Sequence, residues 1–131
     1  MYLLDTNILI YAYRNLGECR ARLEAHNPLE LCICAITVAE IEYGIAKSAR
    51  PEGLRLFLAD VQNRYQLQPM SLEAASQAGQ LRAVLERQGL PIGAYDLLIA
   101  GVALANDLVV VTRNTREFSR VPKLKVENWY D

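Results

Sequence analysis

Five short apolar segments along the chain predict five β-strands. They cover residues 2–4, 31–34, 65–67, 108–111 and 124–127. Each segment has strand length and is bounded by polar or turn-forming residues. The fourth consists of leucine and three valines, which is typical of a central strand buried on both faces. The third is the weakest candidate.

Amphipathic segments between these strands predict helices with identifiable capping residues. Thr6 or Asn7 is a candidate N-cap for the first helix, and Ser71 is a candidate for the longest. Thr37 and Glu40 have the spacing of a capping box at the start of another helix. The predicted helices cover residues 8–14, 18–26, 37–49, 52–64, 72–88 and 94–106. Strands that alternate with helices predict an α/β fold, in which helices cover both faces of a parallel sheet.

Length and composition are those of one domain. The chain has 131 residues, 52% of them apolar, and a formal net charge of −1. A chain of this size buries roughly two-thirds of its unfolded surface, so it needs no disulfide bonds. The balanced charge excludes only proteins that bind polyanions through bulk charge. No apolar run approaches the roughly 20 residues of a membrane span, and no basic segment precedes the N-terminal apolar run, so we expect neither insertion nor secretion.

Cysteine and histidine residues do not indicate a catalytic role. Cys19, Cys32 and Cys34 lie among apolar neighbours without C-x-x-C spacing, which favours reduced core thiols in a cytoplasmic protein over a metal site. His26 is the only histidine, and we expect it to be structural or exposed. Acid–base cleavage of RNA usually needs two proton carriers such as histidines. A nuclease with this sequence should therefore use water activated by a metal ion.

Two aspartates stand where chemistry is expected in an α/β fold. Asp5 follows the first strand, and ligands of open parallel sheets gather outside the carboxyl ends of the strands. Asp96 begins the helix at 94–106. The small residues Ala100 and Ala103 on its face would let that helix approach the sheet and carry the carboxylate inward. Either acid could instead be a simple helix cap.

The helix at 37–49 supplies a third carboxylate, but spacing alone leaves its identity open. Glu40 already has a role in the predicted capping box, whereas Glu42 lies at the edge of the apolar stripe. Glu40 is in the first predicted turn and therefore closer to the strand ends, which favours it slightly.

Three converging carboxylates without basic partners would form a metal site. They repel one another in a dry pocket unless a cation neutralises them. Oxygen ligands favour Mg²⁺ or Mn²⁺ over zinc or copper. Such an ion lowers the pKa of water and stabilises charge on a phosphate, which suits phosphoryl chemistry. The competing interpretation is a set of unconnected caps and surface acids.

Basic residues are concentrated directly after the fourth strand. Five of the fourteen Lys and Arg residues lie within thirteen positions: Arg113, Arg116, Arg120, Lys123 and Lys125. This segment is either a solvated surface loop or a phosphate-binding rim beside the acids. A rim of this kind would let a nearly neutral protein hold a polyanion locally.

Four motifs, taken in order, resemble those of PIN-domain ribonucleases. They are LDTN at 4–7, TVAEIEYG at 37–44, DLLIA at 96–100 and VTRNTREF at 111–118. Their order and separations are similar to those of the VapC toxin branch, and the resemblance continues to the closing residues 127–129. One such motif is a weak signal, whereas four across the whole chain are specific.

The resemblance implies a single three-layer α/β/α domain over residues 1–131, with a five-stranded parallel sheet. It also implies an acidic pocket that binds Mg²⁺, or Mn²⁺ in its place, and cleaves RNA. Asp5, Glu40 and Asp96 match the catalytic, metal-binding carboxylates of the family. The match favours Glu40 over Glu42.

Supporting residues follow from the same match. Thr6 and Asn7 correspond to the residues that orient the first aspartate. Asn114 stands where the family usually has a further acid, and Glu117, one helical turn later, could take that role. This departure makes catalysis with one ion, or with a second ion that arrives with the RNA, the expectation.

The resemblance implies partners as well. A VapB-like antitoxin would cover the pocket, often with an Arg or Lys among the acids, and two chains would pair through helices. The implied substrate is structured RNA, especially tRNA, and its cleavage would inhibit translation. The alternative is a catalytically silent PIN-like module within an antitoxin-dependent DNA-binding complex. A phosphatase or receiver-type domain is disfavoured because the chain has neither a D-x-D motif nor a Gly-rich phosphate loop.

Overall fold

A central parallel sheet organises the computed structural model, which describes residues 1–131. The strands are β1 (Tyr2–Leu4), β2 (Leu31–Cys34), β3 (Gln66–Gln68), β4 (Val109–Val111) and β5 (Val126–Glu127). They lie in the order β3-β2-β1-β4-β5, and all four pairings are parallel. The predicted α/β fold with five parallel strands is confirmed.

Seven α-helices connect the strands. They are α1 (Thr6–Tyr13), α2 (Cys19–Ala25), α3 (Ala35–Lys47), α4 (Glu52–Arg64), α5 (Leu72–Arg87), α6 (Ala94–Asn106) and α7 (Thr115–Phe118), and a 3₁₀ turn at Pro28–Glu30 precedes β2. None of the helices combines the length and apolar character required to span a membrane.

The core lies on both faces of the sheet because successive strand residues point to opposite sides. Leu3 and Val110 belong to a cluster formed with α5 and α6. Leu4 and Val111 belong to a second cluster formed with α1 to α4. The three cysteines are free and buried in these clusters, as predicted. The result is a three-layer arrangement of helices, sheet and helices. The ends of the strands remain accessible for a site.

The N-terminus of α1 differs from the prediction. Its cap is Asp5, whose Oδ1 accepts a hydrogen bond of 2.8 Å from the backbone N–H of Thr6. Thr6 and Asn7 already lie inside the helix. The strand therefore passes into the helix without a loop, and the first residue after β1 is both the cap and the candidate catalytic acid.

The predicted capping box in α3 is wrong. The helix begins at Ala35, directly after β2, so Thr37 is a buried residue inside its first turn. The side chain of the N-cap residue Cys34 does not cap the helix, and its Sγ instead lies 3.7 Å from the hydroxyl oxygen of Thr37. A capping box is a local pattern, and here the end of the strand fixes where the helix starts. Glu40 is consequently available to contact another element.

The C-terminal residues pack over the sheet through Trp129, which is 1% exposed. Its indole stacks on the ring of His26 with centroids 4.2 Å apart, and Tyr2 lies against both rings. His26 therefore has a structural role, as predicted.

Helices α5 and α6 approach closely at Gly101. A Cβ atom at this position would lie 2.5 Å from the carbonyl oxygen of Ala74 and 2.9 Å from the Cβ atom of Ala78. Because α6 also carries Asp96, this contact helps to fix the position of the site.

We expect Gly101→Ala to lower the free energy of unfolding by about 1–3 kcal/mol, because the added methyl group overpacks a backbone contact. Gly79→Ala, in α5, is the matched control, since nothing lies within 4 Å of its added Cβ atom. There the change should stabilise the helix by about 0.5–1 kcal/mol. Urea denaturation of both variants measures the difference. Equal effects would contradict the close packing described here.

Candidate active site

Acidic side chains from three elements meet at the carboxyl edge of the sheet. Asp5 follows β1, Glu40 lies in α3, and Asp96 lies in the first turn of α6. The three line one cavity of about 340 Å³, together with residues of α1 and Asn114. The three acids, which are separated by 35 and 56 positions along the chain, therefore converge in space.

Asp5 is the most buried of these acids, with 4% of its surface exposed. Its Oδ1 accepts from the Thr6 backbone N–H, and its Oδ2 accepts a hydrogen bond of 2.8 Å from the Thr112 hydroxyl. Burial raises the pKa of Asp5 to about 6, although both hydrogen bonds oppose the shift, and the nearby Glu40 charge adds to it. The carboxylate is thus held in place but is costly to ionise without a cation.

Thr112 connects three residues of the site, and the sequence motif gave it no individual role. Besides donating to Asp5, its hydroxyl oxygen accepts from Asn7 Nδ2 at 3.3 Å and from the Asn114 backbone N–H at 2.9 Å. Its position in the sequence, at the end of a predicted strand, is the feature that could have identified Thr112 as a site residue. Thr112 directly follows β4, and the last residue of β4, Val111, pairs with the residue before Asp5.

Glu40, and not Glu42, faces the site. The Thr6 hydroxyl donates a hydrogen bond of 2.7 Å to Glu40 Oε1, and it also lies 3.3 Å from the hydroxyl of Thr37. Glu42 is exposed on the same helix. The structure therefore decides the choice that spacing left open, and it does so through a contact between α1 and α3.

Asn114 joins Asp96 to Glu117. Its Nδ2 donates to Asp96 Oδ2 at 3.0 Å and to Glu117 Oε2 at 3.1 Å. Burial raises the pKa of Asp96 to about 7, and a hydrogen bond with Glu117 and the charges of Asp5, Glu117 and Glu40 act in the same direction. The hydrogen bond between Asp96 and Glu117 has the opposite effect on Glu117, whose pKa it lowers. An amide at this position separates two carboxylates where a further acid would have increased their repulsion.

No Lys or Arg side chain forms an ion pair with these acids. The only ion pairs in the structure are Arg64–Asp60 and Arg82–Glu86, both within single helices. No group of three or more His, Cys, Asp or Glu side chains in the structure is arranged to hold a metal ion. Mg²⁺ is usually held by one or two carboxylates, with water and substrate phosphate completing an octahedron. The donor set fits such a partly hydrated ion, and it lacks the nitrogen and sulfur ligands that zinc prefers.

The predicted basic rim is only partly beside the acids. Lys123 and Lys125 line a different cavity with Asp107 and Leu108, at the start of β4 and therefore at the opposite edge of the sheet. The prediction is wrong for these two lysines because residues that precede β5 lie at the amino end of a parallel strand.

The three arginines of that segment have separate surroundings. Arg120 donates to the carbonyl oxygen of Pro91 at 2.7 Å, next to the start of α6. Arg116 is exposed on α7. Arg113 packs against the aromatic residues Tyr11 and Tyr130. They therefore do not form a continuous rim.

The cavity contains one basic residue that the sequence reasoning missed. Arg14 lines it together with Asn7, Ile10 and Tyr11. These positions have the spacing of one face of a helix, so the pattern in α1 could have revealed Arg14 once Asn7 was placed in the site.

The chain is similar to known proteins along nearly its whole length. Residues 2–124 match the PIN domain family. The chain is 40% identical over 129 residues to the tRNA(fMet)-specific endonuclease VapC of Salmonella typhimurium, covering 98% of this chain and 97% of the relative. It is 38% identical over 136 residues to ribonuclease VapC2 of Rickettsia felis, with 98% of each chain covered.

Solved structures give the same result. A chain of the DNA-bound VapBC structure from Salmonella typhimurium matches with a TM-score of 0.89 at 39% identity, covering 98% of this chain and 97% of the other. A chain of VapBC2 from Rickettsia felis, bound to a promoter DNA fragment, matches with a TM-score of 0.88 at 38% identity and 98% coverage of both. The chain therefore belongs to the PIN-domain family. Within that family it belongs to the VapC ribonuclease branch.

Proposed function

We propose that this chain is a metal-dependent endoribonuclease that acts as the toxin of a VapBC-type toxin–antitoxin pair. The observation that carries the proposal is the meeting of Asp5, Glu40 and Asp96 around one cavity without a cationic partner. Two VapC relatives, at 40% and 38% identity, bear the names of an endonuclease and a ribonuclease, which supports nuclease activity.

One or two of the carboxylates of Asp5, Glu40 and Asp96 would hold a partly hydrated Mg²⁺, or Mn²⁺ in its place, and the remaining carboxylate would contact the ion through water. Bound there, the ion would lower the pKa of a water molecule and stabilise the negative charge that develops on the phosphate. In-line attack on phosphorus would leave a 5′-phosphate and a 3′-hydroxyl. This chemistry needs no histidine near the site. The only histidine, His26, is stacked on the Trp129 ring.

The neighbouring polar residues prepare the site for this chemistry. Thr112 and the Thr6 backbone N–H fix both oxygens of Asp5, and the Thr6 hydroxyl fixes Glu40. Asn114 fixes Asp96. Ligands oriented in this way lose little freedom when a metal binds. Arg14, which lines the cavity, would contact a phosphate group of the RNA.

The proposed substrate is tRNA, and the proposed partner is a VapB-like antitoxin. The Salmonella relative is named for cleavage of tRNA(fMet), and the matching solved structures are VapBC complexes. Cleavage of tRNA would take place in the cytoplasm and would inhibit translation. An Arg or Lys side chain of the antitoxin, placed among the acids, would satisfy the same uncompensated charge that a metal ion does. We also propose that the toxin pairs with a second copy in this complex.

The test is cleavage of initiator tRNA by the purified chain. We expect cleavage in Mg²⁺ or Mn²⁺, fragments with a 5′-phosphate, and no cleavage in EDTA. In a bacterial host, expression of the chain should arrest growth, and co-expression of an antitoxin should relieve the arrest. Cleavage that persists in EDTA, or a chain that cleaves no RNA in either ion, would contradict the proposal.

A second candidate is a catalytically silent module within a DNA-binding complex. It is favoured by Asn114, an amide where an acid was expected, and by the DNA present in both VapBC structures. Calorimetric titration with Mn²⁺ separates the two. An enzyme should bind the ion and lose that binding in Asp96→Asn, whereas a silent module should show no such loss.

A further inference from the structure

Arg113, Tyr11 and Tyr130 form an aromatic cluster that the proposed chemistry does not use. The Arg113 guanidinium carbon lies 3.6 Å from the centroid of the Tyr130 ring and 5.3 Å from that of Tyr11. Its Nη1 donates to the Tyr11 hydroxyl at 3.3 Å, and the two rings meet edge to face at 4.8 Å. The guanidinium is therefore stacked on one ring and fixed by the other.

This cluster adjoins the carboxylate cavity. Tyr11 itself lines the cavity beside Asn7 and Arg14. The Arg113 backbone N–H donates to Asn7 Oδ1 at 3.2 Å, one residue from Thr112, which contacts Asp5. A nucleotide whose phosphate enters the cavity would bring an adjacent base to this cluster.

The C-terminal tail holds the cluster in place. The Glu18 backbone N–H donates to the Tyr130 carbonyl oxygen at 2.8 Å. A Cβ atom at Gly17 would lie 2.6 Å from that same oxygen, so only glycine admits the tail this closely. The backbone of Tyr130 is therefore held by residues 17–18, and its ring contacts Tyr11. The ring is thus a fixed support for Arg113.

A second Arg–Tyr pair in the protein shows what is unusual about Arg113. Arg64 lies 5.3 Å from the Tyr65 ring and donates to its hydroxyl at 3.1 Å, but its charge is paired with Asp60 at 3.5 Å. Arg113 makes no ion pair, and its side chain is exposed. Its charge and its outer face are both available to a ligand.

We propose that Arg113, supported by Tyr11 and Tyr130, is a stacking platform for a nucleobase next to the scissile phosphate of the RNA. Unpaired bases stack on aromatic rings and on arginine guanidinium planes, and such contacts tolerate any base. RNA is favoured over a peptide ligand because Tyr11 connects the free cation of Arg113 to the cavity proposed for phosphate chemistry, which Arg14 also lines. The inference rests on the proposed function.

Fluorescence of 2-aminopurine, which is quenched when the base stacks, measures the platform directly. A short single-stranded oligoribonucleotide with 2-aminopurine at successive positions is titrated into Asp5→Asn protein, which prevents cleavage. At one position we expect strong quenching. Arg113→Lys keeps the charge but not the plane, so it should lose the quenching and bind about 10-fold more weakly. Arg64→Lys, the matched control, should bind and quench like the parent.

The outcomes distinguish this inference from the proposed function. Full binding and quenching in Arg113→Lys would show that only charge matters and would overturn the platform. Unchanged RNA binding together with lost antitoxin binding would also overturn it, because the cluster would then belong to the protein partner. Arg113 is exposed, so circular dichroism should show an unaltered fold in its variants. Absence of cleavage by the wild-type chain, with quenching intact, would contradict the nuclease and leave the platform standing.

Discussion

Replacing Asp5 by asparagine should reduce cleavage of tRNA in Mg²⁺ by about 100-fold or more, because the most deeply held carboxylate of the site is lost. The fold should persist. Asp5 is 4% exposed with a raised pKa, so the neutral amide removes a buried charge that is costly in the metal-free protein. The amide oxygen can still accept from the Thr6 backbone N–H.

Asp96→Asn should reduce cleavage to the same extent. Glu42→Gln, which removes a carboxylate outside the cavity, is the control. Glu42 lies on the same helix as Glu40 but is exposed, so its loss should leave the rate within about two-fold, as is usual for surface changes. Initial rates on initiator tRNA and thermal unfolding of each variant give both readouts. Wild-type rates in Asp5→Asn or Asp96→Asn would disprove the site assignment.

The metal-free protein should lose stability as the pH rises from about 4 to about 7. The pKa of Asp5 is raised from 3.8 to about 6, and that of Asp96 from 3.8 to about 7. Between the unfolded and folded pKa values the native state binds more protons than the unfolded chain. The stabilisation of the native state by these protonated carboxyl groups is therefore fully present below about pH 4. It is lost as the pH rises through the folded pKa values of about 6 and 7. For Asp5 alone the shift corresponds to about 3 kcal/mol.

Divalent metal should reverse this trend. Mg²⁺ or Mn²⁺ binds the ionised carboxylates, so its apparent affinity should rise with pH through the same range and its binding should release protons. Urea denaturation at pH 4, 5, 6, 7 and 8, with EDTA or with Mn²⁺, measures both effects. Asp5→Asn should flatten the metal-free profile. A metal-free stability that does not change with pH, or an unaltered slope in this variant, would count against the raised pKa values.

Local patterns were sufficient for most of the fold. The predicted helices at 52–64 and 94–106 have the bounds found for α4 and α6. Ser71 caps α5 as expected, with its hydroxyl accepting from the Ala74 backbone N–H at 3.0 Å. Apolar periodicity and capping depend on neighbours in sequence, and such interactions are readable without coordinates.

Local patterns failed where a contact between distant elements competed with them. Thr37 and Glu40 fit a capping box by spacing, yet Glu40 instead accepts from Thr6, 34 positions away. The run of basic residues after β4 read as one surface, but the chain reverses before β5, which carries Lys123 to the other edge of the sheet. Arg113 packs on Tyr11, 102 positions away, and no short pattern joins them.

The sequence alone determined the order of strands and helices, the place of Asp5 at the end of β1, and the set of acids from which a metal site could be built. The tertiary structure decided which glutamate faces that site, that Thr112 connects Asp5 to Asn7 and Asn114, and that Arg14 and Arg113 are the basic side chains beside it. The physical reason is the range of the forces. Backbone propensity and apolar periodicity act within a few residues along the chain. Hydrogen bonds and charge repulsion between side chains at different strand ends arise only once the parallel sheet has brought those strand ends together.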